Sequence, residues 1–116
     1  MTMRHGRGAA WVLGAIGAMA MLAACGTPLE EVEPVSGVTT VSVQDNRFDA
    51  RVIEVPAGAE VTWRFDGERE HNVVGEGWQS EVMSDGSYAH TFETPGTYDY
   101  LCTLHRGMDG RVIVTQ

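Results

Sequence analysis

Lysine is absent from this 116-residue chain, so all eight basic side chains are arginine. Against 16 Asp and Glu they leave a net charge of −8. A surface of that sign repels phosphate, which excludes nucleic acid as a partner and electrostatic adhesion to anionic headgroups. Cysteine is scarce, with two residues, Cys25 and Cys102. Long apolar runs are missing as well. The most apolar stretch, Gly8 to Leu22, is free of charge but holds about 15 residues, too short for a comfortable membrane span. No segment carries a sustained helical period, which argues against an α fold.

What is present begins with a segment shaped for export. Arg4 and Arg7 precede the apolar run, which ends in Leu22-Ala23-Ala24-Cys25-Gly26. That ending resembles the lipobox of bacterial lipoproteins. The resemblance implies that residues 1–24 are a lipoprotein signal peptide and that Cys25 becomes the diacylated N-terminus. An ordinary secretory signal with a chance cysteine, or an uncleaved helix, are the other readings. Cleavage leaves six arginines against sixteen acids, a net charge of −10 for the mature part. Residues 27–37 (TPLEEVEPVSG) hold two Pro, three Glu and few large apolar groups. With Cys25 they read as a flexible tether that cannot bury enough surface to fold, with a reach of about 35–40 Å. A bridge between Cys25 and Cys102 is the ordinary reading of two cysteines in an oxidising compartment. Acylation of Cys25 would instead leave Cys102 unpaired, a liability unless something such as a metal uses the thiol.

From Val38 onward the chain reads as short strands with turns between them. Residues 38–43 and 51–55 are β-branched, and Pro56-Ala57-Gly58 ends the second run. Residues 60–66 alternate, with Val61, Trp63 and Phe65 on one face. Further strands are expected around 71–74, 88–92, 97–102 and 111–115, with 78–87 loop-like. Seven or eight short strands predict an all-β domain at 38–116, a Greek-key antiparallel β-sandwich.

The chemistry gathers in Cys102-Thr103-Leu104-His105-Arg106-Gly107-Met108. A thiolate, an imidazole and a thioether within seven residues suit copper better than other common metals, and His71 upstream adds a second imidazole. Two His, one Cys and a weak axial Met form the ligand set of a mononuclear type-1, or blue, copper site. Alternation places Tyr98, Tyr100 and Cys102 on one strand face, so Cys102 points inward at the strand's end. His90 shares its face with Phe92 and reads as structural. Met83 falls in a loop.

The order of these residues resembles the cupredoxin family, the plastocyanin and amicyanin group in particular. The matching stretches are Glu70-His71-Asn72-Val73-Val74, His90-Thr91-Phe92 through Pro95-Gly96-Thr97-Tyr98, and Cys102 to Met108 followed by Gly110-Arg111-Val112. Two residues between Cys and His, and two between His and Met, match the short ligand loop of amicyanins. The resemblance implies one type-1 copper per chain, held by His71, Cys102, His105 and Met108. It further implies that Asn72 hydrogen-bonds across to the ligand loop, at Thr103. Two residues depart from the pattern. Leu101 stands where plastocyanins have an aromatic electron port, which favours the edge of His105 as the exit. Arg106 sets a cation beside an edge that is usually apolar.

The function expected is a membrane-tethered one-electron carrier cycling Cu(II)/Cu(I) between redox proteins such as a cytochrome, oxidase or dehydrogenase. It is expected outside the cytoplasm, lipid-anchored and monomeric. Four protein ligands leave no open metal position for a substrate, so an enzyme is not expected. A copper-binding or delivery protein is the alternative. A structural zinc module is disfavoured because Met is a poor zinc ligand.

Overall fold

Alternation of apolar and polar side chains accounts for the central strands. In the computed structural model, which describes residues 26–116, Val41 and Val43 are buried in Thr40–Gln44. Val61, Trp63 and Phe65 are buried in Ala59–Phe65, with Arg64 outside. Val112 and Val114 are buried in Asp109–Thr115. Each is a period-two stripe against a single core. The signal segment and Cys25 lie outside the described residues.

In chain order the strands are β1 (Val35–Ser36), β2 (Thr40–Gln44), β3 (Arg47–Asp49), β4 (Val52–Pro56) and β5 (Ala59–Phe65). They continue with β6 (Val74–Gly75), β7 (Trp78–Gln79), β8 (Ser87–Phe92), β9 (Gly96–Leu101) and β10 (Asp109–Thr115). One sheet has the order β1-β4-β10-β9-β6-β7 and the other β3-β2-β5-β8. They face each other across the core as a β-sandwich.

Two details differ from the sequence expectation. Ten strands are described rather than seven or eight, because two-residue strands such as β1, β6 and β7 are too short to show a period. Both sheets are also mixed rather than antiparallel. β2 runs parallel to β5, and β4 runs parallel to β1 and β10. Alternation reports which face a residue takes and says nothing of strand direction, so the parallel pairs were invisible in one dimension.

Residues 27–36 lie along the larger sheet. Leu29–Glu31 form a 3-10 turn, and Val35 and Ser36 pair with Ile53 and Glu54 of β4. Composition alone reads this stretch as part of a flexible tether. That argument weighs the segment's own apolar content and omits the open sheet edge and arginines that the domain offers it.

The middle of the core is aromatic. Trp63 is fully buried. Its ring centroid lies 5.2 Å from that of Tyr100, edge to face, and 5.4 Å from that of Trp78. Tyr100 also meets Phe48 edge to face at 4.8 Å. Such pairs are worth about 0.5–1.5 kcal/mol beyond the area they bury. Burial pushes the Tyr100 phenol well above its ordinary value, so it stays neutral. Its hydroxyl and the Trp63 Nε1–H are buried without a hydrogen-bond partner. Tyr100→Phe therefore removes an unsatisfied polar group while keeping the ring. Urea unfolding should show it neutral or stabilised by up to about 1 kcal/mol. A loss of about 1–3 kcal/mol would mean that the hydroxyl is bonded after all.

Candidate metal centre

The ligand loop begins where β9 ends. Tyr100 and Cys102 share its inward face, and Cys102 is a free, buried thiol. The Cys102 amide donates to the Met108 carbonyl at 2.9 Å, and the Met108 amide donates to the His105 carbonyl at 3.3 Å. These bonds close residues 102–108 into a tight loop whose last side chain, Met108, is buried. Gly107 takes φ of 79° within that loop. A side chain in this left-handed region is strained, so glycine is the residue that lets the turn close.

His71 arrives from the segment between β5 and β6 and is 1% exposed. It exchanges two backbone hydrogen bonds with Met83, of 3.0 and 2.9 Å, which pin the segment to the neighbouring loop. Ser80 pins it again two residues on. The Ser80 hydroxyl accepts from the Val73 amide at 2.9 Å and donates to the Glu81 carbonyl at 2.8 Å.

Three side chains converge between the two segments. Cys102 Sγ lies 3.8 Å from His71 Nδ1 and 3.6 Å from His105 Nδ1. The three potential ligand atoms are all within 4.8 Å of one another. Metal bonds of about 2.0–2.3 Å, opened to tetrahedral or trigonal angles, put a nitrogen and a sulfur about 3.5–3.8 Å apart. The observed spacings fit one ion between them. Two imidazoles and a thiolate are a soft donor set, suited to copper.

The Asn72 carboxamide joins the segments beside this cluster. Its Nδ2 donates to Thr103 Oγ1 at 2.9 Å, and its Oδ1 accepts from the Thr103 amide at 2.9 Å. His90 stands apart on β8, half-buried and stacked on Trp78 at 5.0 Å with 13° between the rings. Met83 serves the site through its backbone. His105 is half-buried and lines one surface depression with Leu101 and Leu104, which are 46% and 48% exposed. Arg106 is exposed beside them.

One residue of the site escaped the sequence reading. Asp45 occupies the two-residue turn of the β2–β3 hairpin, where Gln44 pairs with Arg47. An Asp-Asn pair there reads as turn chemistry and nothing more. In three dimensions the Asp45 Oδ1 lies 3.1 Å from His71 Nε2. The carboxylate also accepts from the amides of Arg69, at 2.9 Å, and Glu68, at 3.1 Å. The Arg69 amide foremost, then His71 and the Glu68 amide, hold its carboxyl down at about 2. The approach depends on Gly67, since a Cβ there would sit 2.4 Å from Asp45 Oδ1. An ionised acceptor at Nε2 assigns the proton to that nitrogen and leaves Nδ1 bare toward Cys102. Asp45→Ala should speed amide exchange at Glu68 and Arg69. It should also mix the tautomers of His71, both effects being read by nuclear magnetic resonance. A single Nε2–H tautomer surviving in the variant would remove Asp45 from this role.

The cupredoxin-like domain model matches residues 12–114. The chain is 36% identical to amicyanin-alpha of Methylorubrum extorquens over 110 residues, covering 88% of this chain and 92% of that one. Among solved structures it superimposes on amicyanin from Paracoccus versutus with a TM-score of 0.61 at 29% identity, covering 76% and 96% of the two chains. A purple cupredoxin from Nitrosopumilus maritimus shares the fold, with a TM-score of 0.63 at 23% identity over 67% of this chain and all of that one. With the family model spanning the sandwich and the ligand loop alike, the chain belongs to the cupredoxin-like family.

Proposed function

We propose that this protein is a mononuclear blue copper electron carrier rather than an enzyme. His71, Cys102 and His105 supply the three strong ligands and Met108 the weak axial one. Bound there, copper supplies a one-electron Cu(II)/Cu(I) couple. The observation that carries the reading is the convergence of Cys102 Sγ with the Nδ1 atoms of His105 and His71, at 3.6 and 3.8 Å. The chain's own contribution is to keep those atoms still. Cys102 and His105 sit in a loop closed on its own backbone, and His71 is locked by Met83, Asp45 and Ser80 through its neighbours. Ligands so placed move little between oxidation states, which keeps the reorganisation cost of electron transfer low. Four protein ligands also leave no coordination position for a substrate.

Leu101 cannot relay an electron as an aromatic would, so the exchange edge is that of His105, framed by Leu101, Leu104 and Arg106. The partners are redox proteins such as a cytochrome, an oxidase or a dehydrogenase. The carrier works outside the cytoplasm as a monomer, bound to the membrane through diacylated Cys25 rather than through its acidic surface.

Cu(II) added to the mature apoprotein should give an intense blue band and narrow copper hyperfine splitting at one copper per chain. Cys102→Ser should abolish both while far-ultraviolet circular dichroism keeps its β signature. A colourless, tetragonal product from the parent protein would overturn the thiolate site. Ready surrender of copper to an acceptor apoprotein would replace the carrier with a delivery protein.

A further inference from the structure

The segment ahead of the sandwich is docked in a specific place. Arg51 lies just before β4, and its Nη2 meets Asp109 Oδ1 at 2.7 Å, while its Nη1 donates to the Thr27 carbonyl at 2.5 Å. Arg111 on β10 binds Asp99 through Nε at 2.6 Å and reaches Glu30 Oε2 through Nη2 at 3.3 Å. Leu29 forms one wall of a groove of about 350 Å³ that Val74, Tyr100 and Leu101 also line. Val35 and Ser36 then extend the sheet beside β4, and the Ser36 hydroxyl donates to Glu54 at 3.2 Å.

The segment runs from one end of the sandwich, at Thr27 and Arg51, to the middle of β4, where Val35 and Ser36 pair with Ile53 and Glu54. Asp109 follows Met108 directly and pairs with Leu101, the residue before Cys102. Thr27 is thus one guanidinium away from the ligand loop. Cys25 is two residues earlier, a reach of about 7 Å when extended. Among the described residues, the first ones are set at the end that carries the Cys102–Met108 loop and not at the far pole.

We propose that residues 27–36 are a docked strap that holds the acyl anchor beside the ligand loop. The His105 edge then works at headgroup level, on a redox partner embedded in the same membrane. The inference rests on acylation of Cys25, as read above. A free tether would let the domain range about 35–40 Å from the bilayer and serve diffusing partners equally well. The strap confines it. A domain of net charge −10 would drift from an anionic surface by itself, so the position depends on the covalent anchor and on the two arginines that seat the strap.

The test uses the mature, copper-loaded protein in phosphatidylcholine vesicles that carry a headgroup nitroxide lipid. Cu(II) speeds nitroxide relaxation steeply at short range, and the diamagnetic Cu(I) protein supplies the baseline. The expected result is a strong enhancement that falls several-fold when a Gly/Ser insert as long as the strap follows Gly26. Equal, weak enhancement in both proteins would overturn the strap, since a tether that is already free gains little from added length. Failure to float with vesicles, with no diacyl mass on the N-terminal peptide, would overturn the proposal through its anchor. Hydrogen exchange on the same samples separates the two failures. Slow amides over residues 29–36 mean that the strap stands and the anchor is wrong, and amides exchanging at free-peptide rates mean that the strap itself is wrong.

Discussion

Two hydrogen bonds between the Asn72 carboxamide and Thr103 join segments that lie 31 residues apart in sequence. One segment carries His71 and the other Cys102, His105 and Met108. Without that join, a shift of either segment would move a nitrogen relative to the sulfur, and the spacing that fits one metal ion would be lost. Each bond contributes only about 0.5–1.5 kcal/mol net. Its value here is geometric. The amide donates to and accepts from the same residue, so it fixes both distance and orientation.

The rest of the scaffold extends that constraint outward. Among the described residues, the buried polar side chains are His71, Asn72 and Ser80. All three belong to the site or to the strand segment that presents it, and each has a partner. Asp45 plays the same part from the opposite side, gathering the Glu68 and Arg69 amides and the His71 ring on one carboxylate. Charged hydrogen bonds of this kind are short and directional. The ring of His71 is therefore held by its backbone at Met83, by its distal nitrogen at Asp45, and by its neighbour at Thr103. A side chain fixed at three points has little freedom to leave the cluster.

How much of this the sequence carried depended on how local each signal was. Cys102, His105 and Met108 lie within seven residues, and their spacing with His71 was legible at once. The stripe Val61, Trp63, Phe65 revealed a strand and its buried face because alternation needs no partner strand to be seen. Asp45 could not be found in this way. It is 26 residues from His71, and its motif has a sufficient explanation as a hairpin turn. Only the parallel pairing of β2 with β5 carries that turn over the 67–71 loop, and strand direction leaves no mark on periodicity. The contacts of residues 27–36, read from composition as part of a flexible tether, were hidden for a similar reason. The composition of a segment does not describe the arginines and sheet edge that will receive it.

Pre-forming the site has a cost that falls elsewhere in the domain. A sandwich of this size has a marginal core, and much of its aromatic centre is given to supporting β9, the strand that delivers Cys102. Tyr100 and Trp63 fill the space beneath the ligand strand with large rings, and both leave a polar atom buried without a partner. Cys102 adds a buried free thiol, and no disulfide is described among residues 26–116 to offset it. The fold accepts these losses while holding the His71, Cys102 and His105 side chains together. An ion that binds only the folded chain would return part of that stability by mass action. The arrangement so becomes most stable in the state in which it can act.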